Sequence, residues 1–225
     1  LLHAHRFAFK NSTTAQFSMP QNQRPGPLAA CYAIAIFTGA FLVFQVQPII
    51  GRAILPWYGG SPAVWTTCML FFQTVLLLGY LYAHLLTQIR NVRVQGAIHV
   101  TITIVALASL PILPDASWKP QGGGDPIVPI LTLLAVHVGL PYLMLSSTGP
   151  LMQAWFSRSL PDRSPYRLYA LSNVGSLLAL LTYPVVFEPI FTVREQTTLW
   201  SIGFGVFAAV AALLAGRWWL PAANT

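Results

Sequence analysis

Residues 63–86 read Ala63-Val-Trp-Thr-Thr-Cys-Met-Leu-Phe-Phe-Gln-Thr-Val-Leu-Leu-Leu-Gly-Tyr-Leu-Tyr-Ala-His-Leu-Leu86, without one Asp, Glu, Lys or Arg. A helix needs roughly 20 mostly apolar residues to cross about 30 Å of hydrocarbon, and this stretch alone is long enough. It sits in an uncharged run of 37 residues between Arg52 and Arg90. Five more such runs flank it: 27 residues between Arg24 and Arg52, 21 between Arg93 and Asp115, 32 between Asp125 and Arg158, 20 between Arg167 and Glu188, and 21 between Glu195 and Arg217. The chain of 225 residues carries 12 Lys+Arg and 5 Asp+Glu, about 8% charged, where an ordinary soluble domain has roughly 25%. Hydrophobic residues make up 55% and mean hydropathy is +0.62. These values exclude a soluble globular enzyme and a disordered chain, and two cysteines, Cys31 and Cys68, exclude a disulfide scaffold. The expected fold class is all-α, a polytopic membrane bundle of about six transmembrane helices over residues 28–220, with the lipid bilayer as its first partner.

The basic residues sit at the ends of the apolar runs, not on one face as in nucleic-acid binders, so the net charge of +7 reads as topology. On alternate sides of six spans, nine basic residues (Arg6, Lys10, Arg24, Arg90, Arg93, Arg158, Arg163, Arg167 and Arg217) stand against three (Arg52, Lys119 and Arg194). The positive-inside rule then places both termini in the cytoplasm of a bacterial inner membrane. The N-terminal tail, residues 1–27, is polar and mixed in composition, unlike the apolar spans. Its first eighteen residues lack the arrangement of a signal peptide, and Met19 is the expected start. Residues 221–225 form a short C-terminal tail.

The spans are expected at about Leu28–Ile50, Ala63–Leu86, Val94–Leu113, Ile127–Phe156, Tyr166–Phe187 and Thr198–Leu220. The first is expected to end at Pro48 and Gly51, with Arg52–Pro62 as an external segment. Ser61 is placed to cap the second helix, and Pro62 suits its first turn. The fourth is expected to kink or break at Pro141 and Pro150, with Ser146, Ser147 and Thr148 satisfying the freed backbone groups. Gln47-Pro48, Leu55-Pro56, Ser61-Pro62 and Trp65 echo Gly149-Pro150, Leu160-Pro161, Ser164-Pro165 and Tyr169 at an offset of 102 to 105. With both termini inside, that echo is the pattern of a three-plus-three inverted repeat, as within each six-helix half of major-facilitator transporters.

Polar residues at membrane depth are the candidates for function, because they are costly there unless paired or wetted. Gln45, Gln47 and Arg52 either line a cavity that binds an anionic group, or bond neighbouring helices while Arg52 reaches for lipid phosphate. Tyr169, Ser172, Asn173 and Ser176 have i, i+3, i+4, i+7 spacing and form one polar stripe, read either as a buried binding face or as ordinary helix contacts. His84, His99 and His137 show no i, i+4 pair and no neighbouring carboxylate, so neither metal nor cofactor is expected. No catalytic triad, Cys/His pair or nucleotide-binding Gly motif can be assembled, and no catalytic residue is assigned.

Two segments carry a resemblance. Gln45-Val-Gln-Pro-Ile-Ile-Gly-Arg52, with Leu55-Pro-Trp-Tyr-Gly-Gly-Ser-Pro-Ala-Val-Trp65 and Gly79-Tyr-Leu-Tyr-Ala-His84, resembles the start of bacterial spermidine-synthase-like, or fused major-facilitator/spermidine-synthase, membrane proteins. Tyr166-Arg-Leu-Tyr-Ala-Leu-Ser-Asn-Val-Gly-Ser-Leu177, running on to Tyr183-Pro184 and Glu188-Pro189, is similar to a second signature of that group. The resemblance implies a membrane region preceding a soluble aminopropyltransferase-like domain that uses decarboxylated S-adenosylmethionine to make a polyamine. This chain holds no acidic pair for a polyamine and no Gly-rich turn after a strand, so the family's catalytic residues have no counterpart here. The expected role is therefore a membrane domain, non-catalytic alone, that anchors or serves a cytoplasmic aminopropyltransferase-like partner or forms a homo-oligomer. The alternatives are a transporter-like permease for a small solute and a structural subunit of a membrane complex.

Overall fold

The computed structural model describes residues 26–219 except 121 and 123. The expectations placed on the N-terminal tail, on Met19 and on the last residues lie outside that range. Six helices run in succession: α1 Pro27–Tyr58, α2 Pro62–Gln88, α3 Val92–Ala108, α4 Ile127–Ser159, α5 Tyr166–Ile190 and α6 Val193–Trp219. All but α3 are long and apolar enough to cross a membrane. Their outward faces are apolar, with Leu70, Leu77, Ile104, Leu181, Ile202 and Leu213 all more than half exposed. In water such a surface would drive aggregation; against acyl chains it is the expected contact. The chain is a multi-pass helical membrane protein.

Helix ends differ from the sequence expectation where proline suggests a stop. α1 continues through Pro48 and Pro56 to Tyr58, so Arg52 is part of the helix and the link to α2 shrinks to 59–61. Proline removes one backbone donor, a loss that helix packing tolerates, and the Pro48 carbonyl takes a hydrogen bond from Tyr183 Oη at 3.2 Å. α2 begins as expected: the Ser61 hydroxyl accepts from Val64 N–H at 3.4 Å, and Pro62 occupies the first turn. α3 stops at Ala108, short of the expected Leu113, and the non-helical segment after it buries Ile112. α6 starts five residues early, at Val193, because Thr192 and Glu195 form a capping box.

The expected break in α4 does not occur. Helix continues from Ile127 to Ser159, with one π turn at Ala135–Gly139 just before Pro141, while Pro150 is carried inside regular helix. A π turn shifts bonding to i→i+5, so it absorbs the missing Pro141 donor without a break. The hydroxyls do not repair the proline sites either. Ser147 donates to the Met144 carbonyl at 2.7 Å, Thr148 to the same carbonyl at 3.2 Å, and Ser146 to Leu143 at 2.9 Å. A proline at 150 frees the carbonyl of residue 146 instead. α5 has its own π turn, Tyr183–Phe187, containing Pro184.

α1 and α4 form the antiparallel centre. Tyr32 Oη meets Ser159 Oγ at 3.0 Å at one end, Gly39 faces Thr148 in the middle, and Gln47 Nε2 reaches Tyr142 Oη at 3.3 Å towards the other. α5 and α6 pack on α1, α2 and α3 pack on α4, and α3 runs along α6. Exchanging α1 with α4, α2 with α5 and α3 with α6 returns the same set of main pairs. Two close approaches serve this arrangement. A Cβ on Gly79 of α2 would stand 2.9 Å from Ser146 Cβ of α4, and one on Gly175 of α5 would stand 2.9 Å from the Phe37 carbonyl of α1. The second helix of each three-helix unit thus uses glycine to press against the first helix of the other.

Candidate functional site

At the end of the bundle where α1 finishes, Arg52 Nη1 donates to the Glu188 carbonyl at 2.7 Å and the Phe191 carbonyl at 3.3 Å. These carbonyls close α5, where backbone acceptors run out of helical partners. Gln196, 1% exposed in the first turn of α6, donates from Nε2 to the carbonyls of Phe187 at 3.0 Å and Phe191 at 2.9 Å. The Tyr183 hydroxyl lies 3.3 Å from Gln196 Oε1 and shares its one hydrogen between that oxygen and the Pro48 carbonyl. One arginine, one glutamine and one tyrosine thereby tie α1, α5 and α6 together.

The opposite end repeats the device with other residues. Gln95, fully buried in the first turn of α3, donates from Nε2 to the Ile89 carbonyl at 2.6 Å, with the Thr87 carbonyl at 3.5 Å. Arg158, near the end of α4, donates from Nη2 to the same Thr87 carbonyl at 3.1 Å and from Nη1 to Gln95 Oε1 at 3.3 Å. Trp155 Nε1 donates to Gln95 Oε1 at 2.9 Å. In each case a glutamine from the third helix and an arginine from the other unit's first helix converge on the carbonyls that end the second helix. Both arginines donate to neutral oxygens.

Neither glutamine stands out when polar residues are sought deep in spans, because each lies within one turn of a helix start. The signal is a short repeat: Ile89-Arg-Asn-Val-Arg-Val-Gln95 and Ile190-Phe-Thr-Val-Arg-Glu-Gln196, offset by 101, share Ile, Val, Arg and Gln at four of seven positions. Asn91 and Thr192 fill the same capping place, accepting from Arg93 N–H and Glu195 N–H.

The other sequence candidates separate. Gln45 is buried, and its Nε2 has no hydrogen-bond partner. Gln47 turns to α4 and Tyr142. The stripe Tyr169, Ser172, Asn173 and Ser176 divides: Tyr169 is 60% exposed and Asn173 is exposed, while Ser172 and Ser176 are half-buried, the Ser176 hydroxyl donating to the Ser172 carbonyl at 3.0 Å. The buried residues of α5 are instead Leu168, Gly175 and Ala179, about a quarter turn away. Bulk decides this, since only the glycine face lets α1 approach. His99 is fully buried beside Tyr82 Oη, 3.3 Å from Nδ1, while His84 bonds Gln88 and His137 bonds the Leu133 carbonyl. Among the described residues, no three His, Cys, Asp or Glu side chains come together as metal ligands would. Outside the spans, the Ser117 hydroxyl and N–H hold the Asp115 carboxyl below its ordinary range, which keeps that loop's turn anchored.

A cleft of about 550 Å³ opens between α1, the π turn of α5 and α6, and Gln45 and Gln196 both line it. No protein-family model, curated protein or solved structure matches this chain.

Proposed function

We propose that the chain is a transporter-like membrane module built as a three-plus-three inverted repeat, whose two units rock about the α1–α4 seam. The observation that carries this reading is the pair of matched locks, Arg52–Gln196 at one end and Arg158–Gln95 at the other. Each lock joins one unit's first helix to the other unit's second, so opening either parts the units at one face while the other face stays shut. Inverted repeats support alternating access in this way. The nine-to-three basic asymmetry supports an arrangement with the Arg158 lock on the cytoplasmic face of a bacterial inner membrane and the Arg52 lock outside.

The test is distance measurement by spin-label electron resonance in a background lacking Cys31 and Cys68. One label pair, at Gly60 and Ile190, reports the Arg52 end; another, at Arg90 and Asp162, reports the opposite end. Two distance populations for each pair are expected, with Arg52→Ala enriching the long one at its own end and the short one at the other. A single narrow distance at both ends, unchanged by Arg52→Ala, contradicts the reading.

A second reading has the module anchoring a cytoplasmic aminopropyltransferase-like partner, as in the spermidine-synthase-like proteins it resembles. Its support is the two sequence signatures and the exposed Tyr169 and Asn173, which leave polar groups of α5 turned outward at a surface otherwise made for lipid. A reporter fused after Thr225 that registers on the external side contradicts it.

A further inference from the structure

We propose that the cleft between α1, the π turn of α5 and α6 is a binding site for a neutral, membrane-soluble molecule with a planar carbonyl-bearing ring, of the quinone class. Gln45 sets the first requirement. Its side chain is 2% exposed, lines the cleft, and keeps a buried Nε2 with no partner. An unmet buried amide donor is costly, and a turn of the Gln45 side chain, which lines the cleft, would offer this nitrogen to an acceptor on whatever fills it.

Depth narrows the class. Gln45 stands near the middle of α1, seven residues and so about 10 Å inward from Arg52. Phospholipid ester carbonyls lie at the interface, about 15 Å from the midplane, so a lipid tail brings no acceptor to this depth. No charged residue lines the cleft, which disfavours an ionised ligand. A molecule that dissolves in the bilayer core and carries its own carbonyl meets both conditions. The walls add shape: Phe41, Phe187 and Phe191 form a continuous aromatic cluster, with ring centroids 6.2 Å and 5.8 Å apart, and Trp200 of α6 also lines the cleft. Such rings favour a flat partner. The volume, about 550 Å³, is that of a site for one small ligand.

The two units differ here, although their locks match. At the positions of α4 corresponding to Gln45, Ser147 and Thr148 both satisfy themselves on the Met144 carbonyl. The unpaired amide therefore belongs to one cleft and is no by-product of the repeat. Binding involves no redox step, and it stands whether or not the locks open in turn.

The test uses the purified full chain in phosphatidylcholine nanodiscs with tritiated decyl-ubiquinone as probe. Saturable binding at one site per chain is expected. Gln45→Leu should weaken it about tenfold, the effect of one lost hydrogen bond. Thr38→Phe, which fills the cleft, should abolish it. Methyl decanoate, a chain with an ester but no ring, should not compete at equal concentration. Equal competition by methyl decanoate, or unchanged affinity in Gln45→Leu, overturns the proposal. If Gln45→Leu does not fold, unchanged binding by Thr38→Phe overturns it alone.

Discussion

Gly79→Leu is expected to lower stability by about 3 kcal/mol, the upper part of the range for overpacking a tight contact. A Cβ at position 79 would stand 2.9 Å from Ser146 Cβ and 3.1 Å from the Ser147 backbone nitrogen. The obstacle is partly main chain, so no rotamer change clears it. Nor is α4 free to retreat, because its far side is seated on α1, where a Cβ on Gly39 would already stand 3.1 Å from Thr148 Cγ2. Membrane helices associate through close packing and not through expulsion of water, so a gap forced at this crossing removes the attraction itself. The measurement is the thermal midpoint in mild detergent. Gly149→Ala, at a position with nothing within 4 Å, should leave that midpoint unchanged or slightly raised. Equal losses for the two variants would mean that the α2–α4 crossing is looser than these distances require.

Gln95→Leu and Gln196→Leu form the second large effect. Each removes a fully enclosed amide that serves several partners at once: two carbonyls and the Tyr183 hydroxyl for Gln196, two carbonyls, Trp155 and Arg158 for Gln95. Leucine fits the volume but strands those groups, at a cost of about 1–3 kcal/mol for each buried group left unsatisfied. A loss of about 3 kcal/mol is expected for either variant, the same within about 1 kcal/mol, because the two glutamines occupy equivalent places. Gln73→Leu, on the exposed face of α2, should be neutral. Full tolerance of one lock variant beside severe loss in the other would break the equivalence.

The six helices are legible in the sequence because charge is so costly in hydrocarbon that the gaps between charged residues outline the apolar segments directly. Their ends are less legible. Pro48 and Pro56 look like stops, yet a packed membrane helix carries them, and Arg52 consequently belongs to α1. The same tolerance keeps α4 whole through Pro141 and Pro150, one through a π turn and the other within regular helix. On α5, spacing alone selects the polar stripe, but packing favours the smallest residue, Gly175, and turns Tyr169 and Asn173 outward. Gln45, Gln47 and Arg52 are visible as polar groups at depth; that they face three different surroundings depends on a helix direction and tilt no spacing reveals. The proline echoes at offset 102 to 105 point to the repeat, while the stronger signal, Ile-x-Asn/Thr-Val-Arg-x-Gln, lies at helix starts where polar residues are ordinary.

The inverted repeat requires its two locks to lie on opposite sides of the membrane, and thiol accessibility tests that requirement without intermediaries. Single cysteines replace Gly60 or Ile190 at the Arg52 end, and Arg90 or Asp162 at the Arg158 end, in a background lacking Cys31 and Cys68. An impermeant maleimide applied to intact spheroplasts is predicted to label Gly60→Cys and Ile190→Cys, and to reach Arg90→Cys and Asp162→Cys only after permeabilisation. Labelling of all four positions from the same side would contradict the inverted repeat.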